Sequence, residues 1–180
     1  KLIQGFYRGI GATDIEAVMR VVDKLDKVPG EVVHGLLVKD AGLNETQAEQ
    51  CLALASICTP DLDFIAQVRA LGVSDPLLDE GLSELSDVIA GCQSLVNDRV
   101  RINADLRIAR GLDYYTGTVF ETRLDGFESL GSICSGGRYD ALASDGRTTY
   151  PGVGISLGVS RVLAPLFART GLVAERSVPS

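Results

Sequence analysis

Residues that bind metals or carry redox chemistry are scarce in this sequence. The single histidine is His34, and the four cysteines, Cys51, Cys58, Cys92 and Cys134, are far apart, with no CxxC pair among them. Zinc sites and redox dithiols both need such ligands at short spacing. The sequence therefore gives no support for a metal centre or for thiol chemistry, and we expect four small buried thiols.

Long apolar runs are also lacking. No segment approaches the roughly 20 apolar residues that a membrane-spanning helix needs, and the first residues have no secretory signal pattern, so we expect a soluble, cytoplasmic chain. With 180 residues, of which 46% are hydrophobic, the chain is long enough to bury a core. Because it opens directly on an amphipathic segment, Lys1 to Ile10, we expect a fragment of a longer polypeptide.

Lysine is absent from the second half of the chain. Residues 1–99 hold 8 basic and 16 acidic side chains, whereas residues 100–180 hold 9 basic side chains, all arginine, and 8 acidic ones. The net charge of -7 argues against a general nucleic-acid binder. Arginine presents a rigid fork of donors that suits phosphate and carboxylate, so its distribution favours a nucleotide site in the second half.

The first half has the periodicity of helices. Thr13 and Glu16 have the spacing of a capping box, and further helices are predicted over Glu31–Val38, from Asn44 to Ile57 and over Leu62–Leu71. Asp75 and Pro76 then begin a long helix that runs to about Asn97, with a leucine-rich stripe that we expect in the core.

The second half has the alternation of strands. Strands are predicted near Val100–Leu106, Thr118–Leu124, Gly131–Cys134 and Val153–Val159, followed by a helix that Ser160 caps and Arg161 begins. The glycines before Arg161 have the wrong spacing for a dinucleotide-binding fingerprint, and no βαβ repeat follows them. The predicted fold class is α+β, with helices packed on an antiparallel sheet.

Polar side chains are concentrated between the first two predicted strands. Arg110, Asp113, Tyr114 and Tyr115 fall within six residues, more than a simple turn needs. One interpretation is a binding site, and the other is a strand corner with a buried ion pair between Arg110 and Asp113.

A second cluster follows the next predicted strand. Gly136 and Gly137 could form the wall of a small pocket that Arg138 and Asp140 tie down, or they could form a hairpin turn with a surface ion pair.

Three stretches carry a family resemblance. RGLDYYTGTVFE, from Arg110 to Glu121, resembles the first histidine-specific motif of histidyl-tRNA synthetases, and SICSGGRYD, from Ser132 to Asp140, resembles the second. GVGISLGVSRVLAPL, from Gly152 to Leu166, is similar to the third motif of class II synthetases, in which a glycine-rich strand leads into a helix that carries an arginine. The motifs occur in the family's order. VDKLDKV, from Val22 to Val28, also resembles the entry to the family's insertion domain, so the resemblance covers nearly the whole chain.

The resemblance implies a class II synthetase fold and a two-step reaction. Histidine and ATP give histidyl-adenylate and pyrophosphate, and the histidyl group is then transferred to tRNA(His). By motif match, Arg110 is the catalytic residue and contacts both the α-phosphate and the histidine carboxylate. The implied histidine-binding residues are Arg110, Tyr114, Tyr115, Gly136 and Gly137, and the implied ATP-binding residues are Arg110, Gly158 and Arg161. ATP with Mg2+, a homodimeric parent protein and a cytoplasmic location are also implied.

The resemblance also predicts a division into domains. Residues 1–27 and 75–172 would belong to the catalytic core, 28–74 to a small all-helical insertion, and 173–180 to a linker or tail. The insertion would lie against the tRNA acceptor arm, although its acidity leaves open a helical cap with no RNA role.

The chain departs from the family pattern in three ways. The first two class II motifs and an anticodon-binding domain are missing, and Ser160 stands where an acidic residue often precedes the arginine. We therefore expect a partial catalytic domain that is inactive alone. Two alternatives stay open: a regulatory paralogue that pairs with ATP phosphoribosyltransferase, and a synthetase-like sensor domain of a kinase.

Overall fold

The computed structural model describes residues 1–108 and 115–170. Its helices are α1 Leu2–Gly9, α2 Ile15–Val22, α3 Gly30–Lys39, α4 Glu45–Ala55, α5 Asp63–Ala70, α6 Pro76–Cys92 and α7 Val159–Thr170. Its strands are β1 Cys58–Thr59, β2 Ala104–Asp105, β3 Val119–Arg123, β4 Ser132–Tyr139 and β5 Gly152–Leu157. β3, β4 and β5 form an antiparallel sheet in that order, and β1 and β2 form a separate antiparallel pair. The predicted α+β class with an antiparallel sheet is confirmed.

Helices α1 and α6 are in backbone contact through two glycines. A Cβ atom added to Gly5 would lie 2.2 Å from the backbone nitrogen of Leu78, and one added to Gly81 would lie 2.1 Å from that of Leu2. Only residues without a side chain allow such an approach. The pairing of α1 with α6 therefore depends on glycine at both positions.

The hydrophobic core lies among the helices. Its completely buried side chains include Phe6, Tyr7, Val18, Val22, Val33, Leu37, Leu54, Phe64, Val68 and Leu78. These residues come from α1 to α6 and form one continuous cluster that also reaches Ala104 and Leu106. Helices α3 to α5, within the predicted insertion, thus share a core with the helices on either side, and the domain boundaries stay a prediction.

Side-chain caps set the starts of three helices. Asn44 and Gln47 form the predicted capping box of α4, with both hydrogen bonds at 2.9 Å. Asp75 caps α6 as predicted, because its carboxylate accepts from Leu77 N at 2.8 Å. The box predicted for Thr13 is wrong: Asp14 is the cap of α2, and its carboxylate accepts from Ala17 N at 2.9 Å. An aspartate one position later offers the same hydrogen bond with a negative charge that suits a helix N-terminus.

Asp75→Asn is expected to destabilise the protein at neutral pH and much less in acid. The pKa of the Asp75 carboxyl lies below its usual value of 3.8, chiefly because the Arg8 guanidinium donates hydrogen bonds to it. A carboxyl whose pKa is lower in the folded state stabilises the fold above the unfolded pKa, and this contribution is lost as the pH falls through the folded pKa. Urea unfolding should therefore show a gap between wild type and Asp75→Asn at pH 7 that narrows by pH 3.

Asp79→Asn is the matched control for this prediction. Asp79 lies in the first turn of the same helix and pairs with Arg69, but both side chains are about half exposed (51% and 49%). Exposed pairs contribute little to stability, so a smaller gap is expected at pH 7. A gap for Asp75→Asn that is the same at both pH values would contradict the role given to Arg8.

The strand predicted at Val100–Leu106 is wrong in extent and in partner. Only Ala104 and Asp105 form a strand, and they pair with β1 rather than with the main sheet. Ala104 and Leu106 are buried against the helical core, whereas Val100 closes a tight turn with Asn97. Leu106 N also donates to Ile57 O at 3.0 Å. The alternation of apolar and polar residues over Val100–Leu106 therefore reflects burial against helices.

The other sheet strands also differ from their predicted limits. β4 continues from Ser132 through Gly136 and Gly137 to Tyr139, so the two glycines lie within a strand rather than in a turn. β5 ends at Leu157, and α7 begins at Val159 instead of Arg161. The chain passes from strand to helix at Gly158. Its N–H donates to Ile133 O in the sheet, and its carbonyl accepts the first helical hydrogen bond from Val162 N.

Two expectations about burial need correction. Cys51 and Cys134 are buried as predicted, but Cys58 is exposed and Cys92 is half-buried. In α6, which ends at Cys92 before a short 3-10 turn, Leu78, Leu82 and Ile89 are in the core. Val88 and Leu95 from the same predicted stripe are exposed, because the stripe extends beyond the surface that α1 covers.

Candidate active site

On one face of the main sheet, strands β4 and β5 carry only small side chains near their centre, whereas β3 carries Val119 and Glu121. Gly137 pairs with Gly154 and Ser135 with Ser156 across β4 and β5. Cross-strand partners share a face, and so do residues two apart along a strand. We call these four positions the small-residue face. Its floor is backbone and two hydroxyl groups, so a ligand can approach the sheet closely.

Two tyrosine rings border the small-residue face. A Cβ atom added to Gly137 would lie 2.9 Å from Cδ1 of Tyr115, so the Tyr115 ring lies against this glycine. On the other side, the Tyr139 ring covers β5: an added Cβ would be 2.6 Å from it at Gly152 and 3.3 Å from it at Gly154. One ring thus lies against Gly137 and the other near Gly154, and these two glycines pair across β4 and β5.

Tyr139 was missed by the sequence analysis. It lies two residues after Gly137 in β4, and strand alternation therefore puts both on one face. Strand alternation could place Tyr139 on this face only once β4 was known to continue through Gly136 and Gly137.

The opposite face of the sheet carries larger, mostly apolar side chains. Phe120 lies there, and a Cβ atom added to Gly136 would be 2.6 Å from its Cζ atom and 2.0 Å from Gly154 O. Val153, Ile155 and Leu157 also lie on this face and are 69%, 71% and 58% exposed. Gly136 therefore serves close packing of strands and of Phe120, while its neighbour Gly137 belongs to the small-residue face.

Gly158 and Arg161 lie at the other end of β4. Arg161 Nη1 donates to Ser132 O at 2.6 Å, and Gly158 N donates to Ile133 O at 2.8 Å. Ser132 is five residues before Gly137, which corresponds to roughly 16 Å along a strand. Tyr115 and Gly137 are thus brought together by the fold, and Arg161 is held at a distance from them along the same strand.

A hydrogen-bonded cluster joins the end of β4 to residues 116–118. Thr116 Oγ1 donates to Asp140 Oδ2 at 2.6 Å, and Arg138 Nε donates to Asp140 Oδ1 at 3.0 Å. The hydrogen bond from Thr116 and, to a smaller extent, the one from Arg138 hold the pKa of the Asp140 carboxyl below its usual value. The predicted ion pair between Arg138 and Asp140 is present, and Thr116 extends it across two segments.

The remaining predicted site residues cannot be placed. Arg110 and Tyr114, with Asp113, lie outside the described residues, so neither the catalytic nor the ion-pair interpretation of Arg110 is tested. Among residues 1–108 and 115–170, no three His, Cys, Asp or Glu side chains come together as metal ligands.

A cavity of about 490 Å3 separates the helices from the sheet. Residues of α1 and α6 line one wall, and residues of β3 line the other, with Tyr115 at its border. The long helix α6 thus faces β3 across this cavity, whereas helices packed on the sheet were predicted. Within the described part of the chain, no helix has the length and apolar character to cross a membrane.

An antiparallel sheet together with helices is the architecture that the resemblance to class II synthetases implied. The crystal structure of histidyl-tRNA synthetase from Nostoc sp. PCC 7120 matches 96% of this chain and 41% of its own, with a TM-score of 0.82 and 35% sequence identity. The family model for histidyl-tRNA synthetase matches residues 8–162. The chain therefore belongs to the histidyl-tRNA synthetase family.

Its curated relatives are considerably longer. The histidine–tRNA ligase of Cutibacterium acnes is 55% identical over 180 residues, and that of Micrococcus luteus is 56% identical over 180 residues. Both alignments cover 100% of this chain and 39% of the relative. The chain thus spans about two fifths of the length of these ligases.

Proposed function

We propose that this chain is part of the catalytic domain of a histidine–tRNA ligase and carries its histidine pocket and part of its ATP site. The observation that carries the proposal is the small-residue face between Tyr115 and Tyr139, formed by the two histidine-specific motifs and the third class II motif. In this proposal the histidine imidazole lies between the two phenol rings, against the backbone of β4 and β5, and we call that space the slot. The names of the relatives favour this function over the regulatory paralogue.

The proposed reaction has two displacements. A carboxylate oxygen of histidine attacks the α-phosphorus of ATP, the bond from that phosphorus to the bridging oxygen breaks, and pyrophosphate leaves. A ribose hydroxyl of the terminal tRNA nucleotide then attacks the histidyl carbonyl carbon, and AMP leaves. Negative charge develops on the phosphate oxygens in the first step, so a fixed cation near them lowers the barrier.

The proposed roles follow the motifs and the geometry. Arg110 would contact the α-phosphate and the histidine carboxylate, and Tyr114, Tyr115 and Tyr139 would border the imidazole. The backbone of Gly136 and Gly137 would form the floor at that end. Gly158 and Arg161, roughly 16 Å away along β4, would contact the nucleotide. An elongated adenylate lying along the strand would meet both ends.

Magnesium is proposed as part of the substrate, MgATP. Mg2+ commonly binds through substrate phosphates with few protein ligands. We further propose that the whole protein acts as a homodimer on tRNA(His) in the cytoplasm, where translation uses its product.

Histidine-dependent exchange of pyrophosphate into ATP tests the proposed function. The full-length protein that carries this chain should catalyse the exchange with histidine and not with the other amino acids. A protein that binds histidine without exchange would support the regulatory paralogue instead.

Gly137→Ala is expected to raise the KM for histidine about ten- to a hundredfold, with a smaller effect on kcat. The added methyl group would meet Tyr115 Cδ1 at 2.9 Å and Thr118 O at 3.0 Å, so the ring that borders the slot must move. Steady-state pyrophosphate exchange over a range of histidine concentrations measures both constants.

Two other glycines serve as comparisons. Gly91→Ala has no atom within 4 Å of the added Cβ and should leave both constants unchanged. Gly136→Ala would place its Cβ 2.0 Å from Gly154 O and should instead destabilise the sheet. An unchanged KM for histidine in a folded Gly137→Ala protein would show that Tyr115 does not border the histidine pocket.

A further inference from the structure

Both tyrosines of the slot adjoin a member of one hydrogen-bonded cluster. Thr116 follows Tyr115, and Asp140 follows Tyr139. The two neighbours are 24 positions apart in sequence, and Thr116 Oγ1 donates to Asp140 Oδ2 at 2.6 Å. A single carboxylate therefore ties together the two backbone segments from which the rings project.

The contact between the segments is reinforced by the backbone. Thr116 N donates to Arg138 O at 3.0 Å, and Arg138 N donates to Thr118 O at 2.9 Å. The Arg138 side chain passes over Gly117, where an added Cβ would lie 2.9 Å from Arg138 Cδ. Residues 116–118 are thus held against the end of β4 by backbone hydrogen bonds. The side-chain hydrogen bonds of Asp140 act on two segments that are already in contact.

Asp140 is suited to fix this junction because each of its oxygens has a different partner. Oδ2 accepts from Thr116, and Oδ1 accepts from Arg138 Nε. A carboxylate accepts with both oxygens, and replacing it by alanine removes both contacts, whereas an asparagine could keep them by donating to the Thr116 hydroxyl. The ion pair of Arg101 with Asp125 serves as a control, since both of its side chains are more than 70% exposed.

We propose that Asp140, through Thr116, is a positioning residue that sets the distance between Tyr115 and Tyr139 and so the fit of the histidine ring. This inference rests on the proposed function, because it assigns a role at the same site. Neither Asp140 nor Thr116 touches the substrate. Their effect is on the shape of the slot, and it acts on histidine rather than on ATP.

The first test compares Thr116→Val with Thr116→Ser in the full-length protein. Valine keeps the shape and removes the hydroxyl, and serine keeps the hydroxyl. Thr116→Val and Asp140→Ala are each expected to raise the KM for histidine about tenfold in pyrophosphate exchange, the scale of one lost charge-assisted hydrogen bond. The KM for ATP should stay within about twofold. Thr116→Ser and the control Asp125→Ala should match wild type.

The double variant separates positioning from independent effects. If Thr116 acts only through Asp140, Thr116→Val added to Asp140→Ala should raise the KM for histidine no further. A purely structural role would instead lower the unfolding temperature and kcat while both KM values stay unchanged. That result, or a wild-type KM in Thr116→Val, would overturn the proposal.

A binding measurement with histidinol, which has no carboxylate to activate, tests the inference independently of the proposed reaction. If wild type binds histidinol but catalyses no exchange, the proposed ligase function is wrong. The Thr116 and Asp140 variants then still test the slot through their dissociation constants for histidinol, with the same tenfold change expected. If wild type binds neither histidine nor histidinol, the slot is not a histidine pocket and the inference is overturned. Isothermal titration calorimetry measures these constants.

Discussion

Arg110→Ala in the full-length protein is expected to lower the rate of histidyl-adenylate formation by about two to three orders of magnitude, while the affinity for histidine changes far less. The loss is that of one fixed donor at a position where charge develops in the transition state. Arg110→Lys should restore only part of the rate, because a point charge cannot span phosphate and carboxylate together. Pyrophosphate exchange measures the rate.

Thermal unfolding of the same Arg110→Ala protein distinguishes catalysis from folding. If Arg110 is instead a buried partner of Asp113, its removal leaves an unpaired carboxylate and costs about 3 to 5 kcal/mol of stability. Activity would then fall together with folding. A variant that unfolds early and regains full exchange when stabilised would show that the catalytic assignment is wrong.

Gly81→Ala is expected to lower the free energy of unfolding by about 3 kcal/mol, at the upper end for overpacking. The new methyl group would lie 2.1 Å from Leu2 N and 2.5 Å from Leu2 Cα, so α1 and α6 must separate. The obstacle is backbone and cannot rotate away. Separation would loosen the packing of Leu78 and Leu82, which are buried beside the contact. Urea unfolding measures the difference.

Gly35→Ala is the matched control for Gly81→Ala. Gly35 lies in the middle of α3, is exposed, and has no atom within 4 Å of an added Cβ. Alanine there should stabilise the protein by about 0.5 to 1 kcal/mol, because it reduces the freedom of the unfolded chain and favours the helix. Similar effects from both substitutions would mean that α1 and α6 are not in backbone contact at Gly81.

Local signals account for the features that were predicted well. The Asn44 and Gln47 box and the Asp75 and Pro76 start were visible because a helix cap involves residues only two or three positions apart. The branched and aromatic residues of Thr118–Leu124 predicted β3 within a residue at each end for a similar reason. The family motifs were visible because each is a continuous stretch.

The errors fall where a distant segment decides the outcome. Val100–Leu106 alternates like a strand of the sheet, yet Ala104 and Asp105 pair with Cys58 and Thr59, more than forty positions earlier. Alternation records which side chains are buried and carries no information about the burying partner. Gly136 and Gly137 were expected in a pocket wall or a turn, but pairing on both sides by β3 and β5 keeps them extended.

The sequence by itself determined the fold class, the main helices with most of their starts, and the motifs that indicate the family, because these depend on neighbouring residues. Only the tertiary structure decided that Gly137 belongs to the small-residue face while Gly136 packs against Phe120. It also brought Tyr139 opposite Tyr115 and joined Thr116 to Asp140. Strand register sets all of these relations, and register depends on contacts between segments that are far apart in the chain.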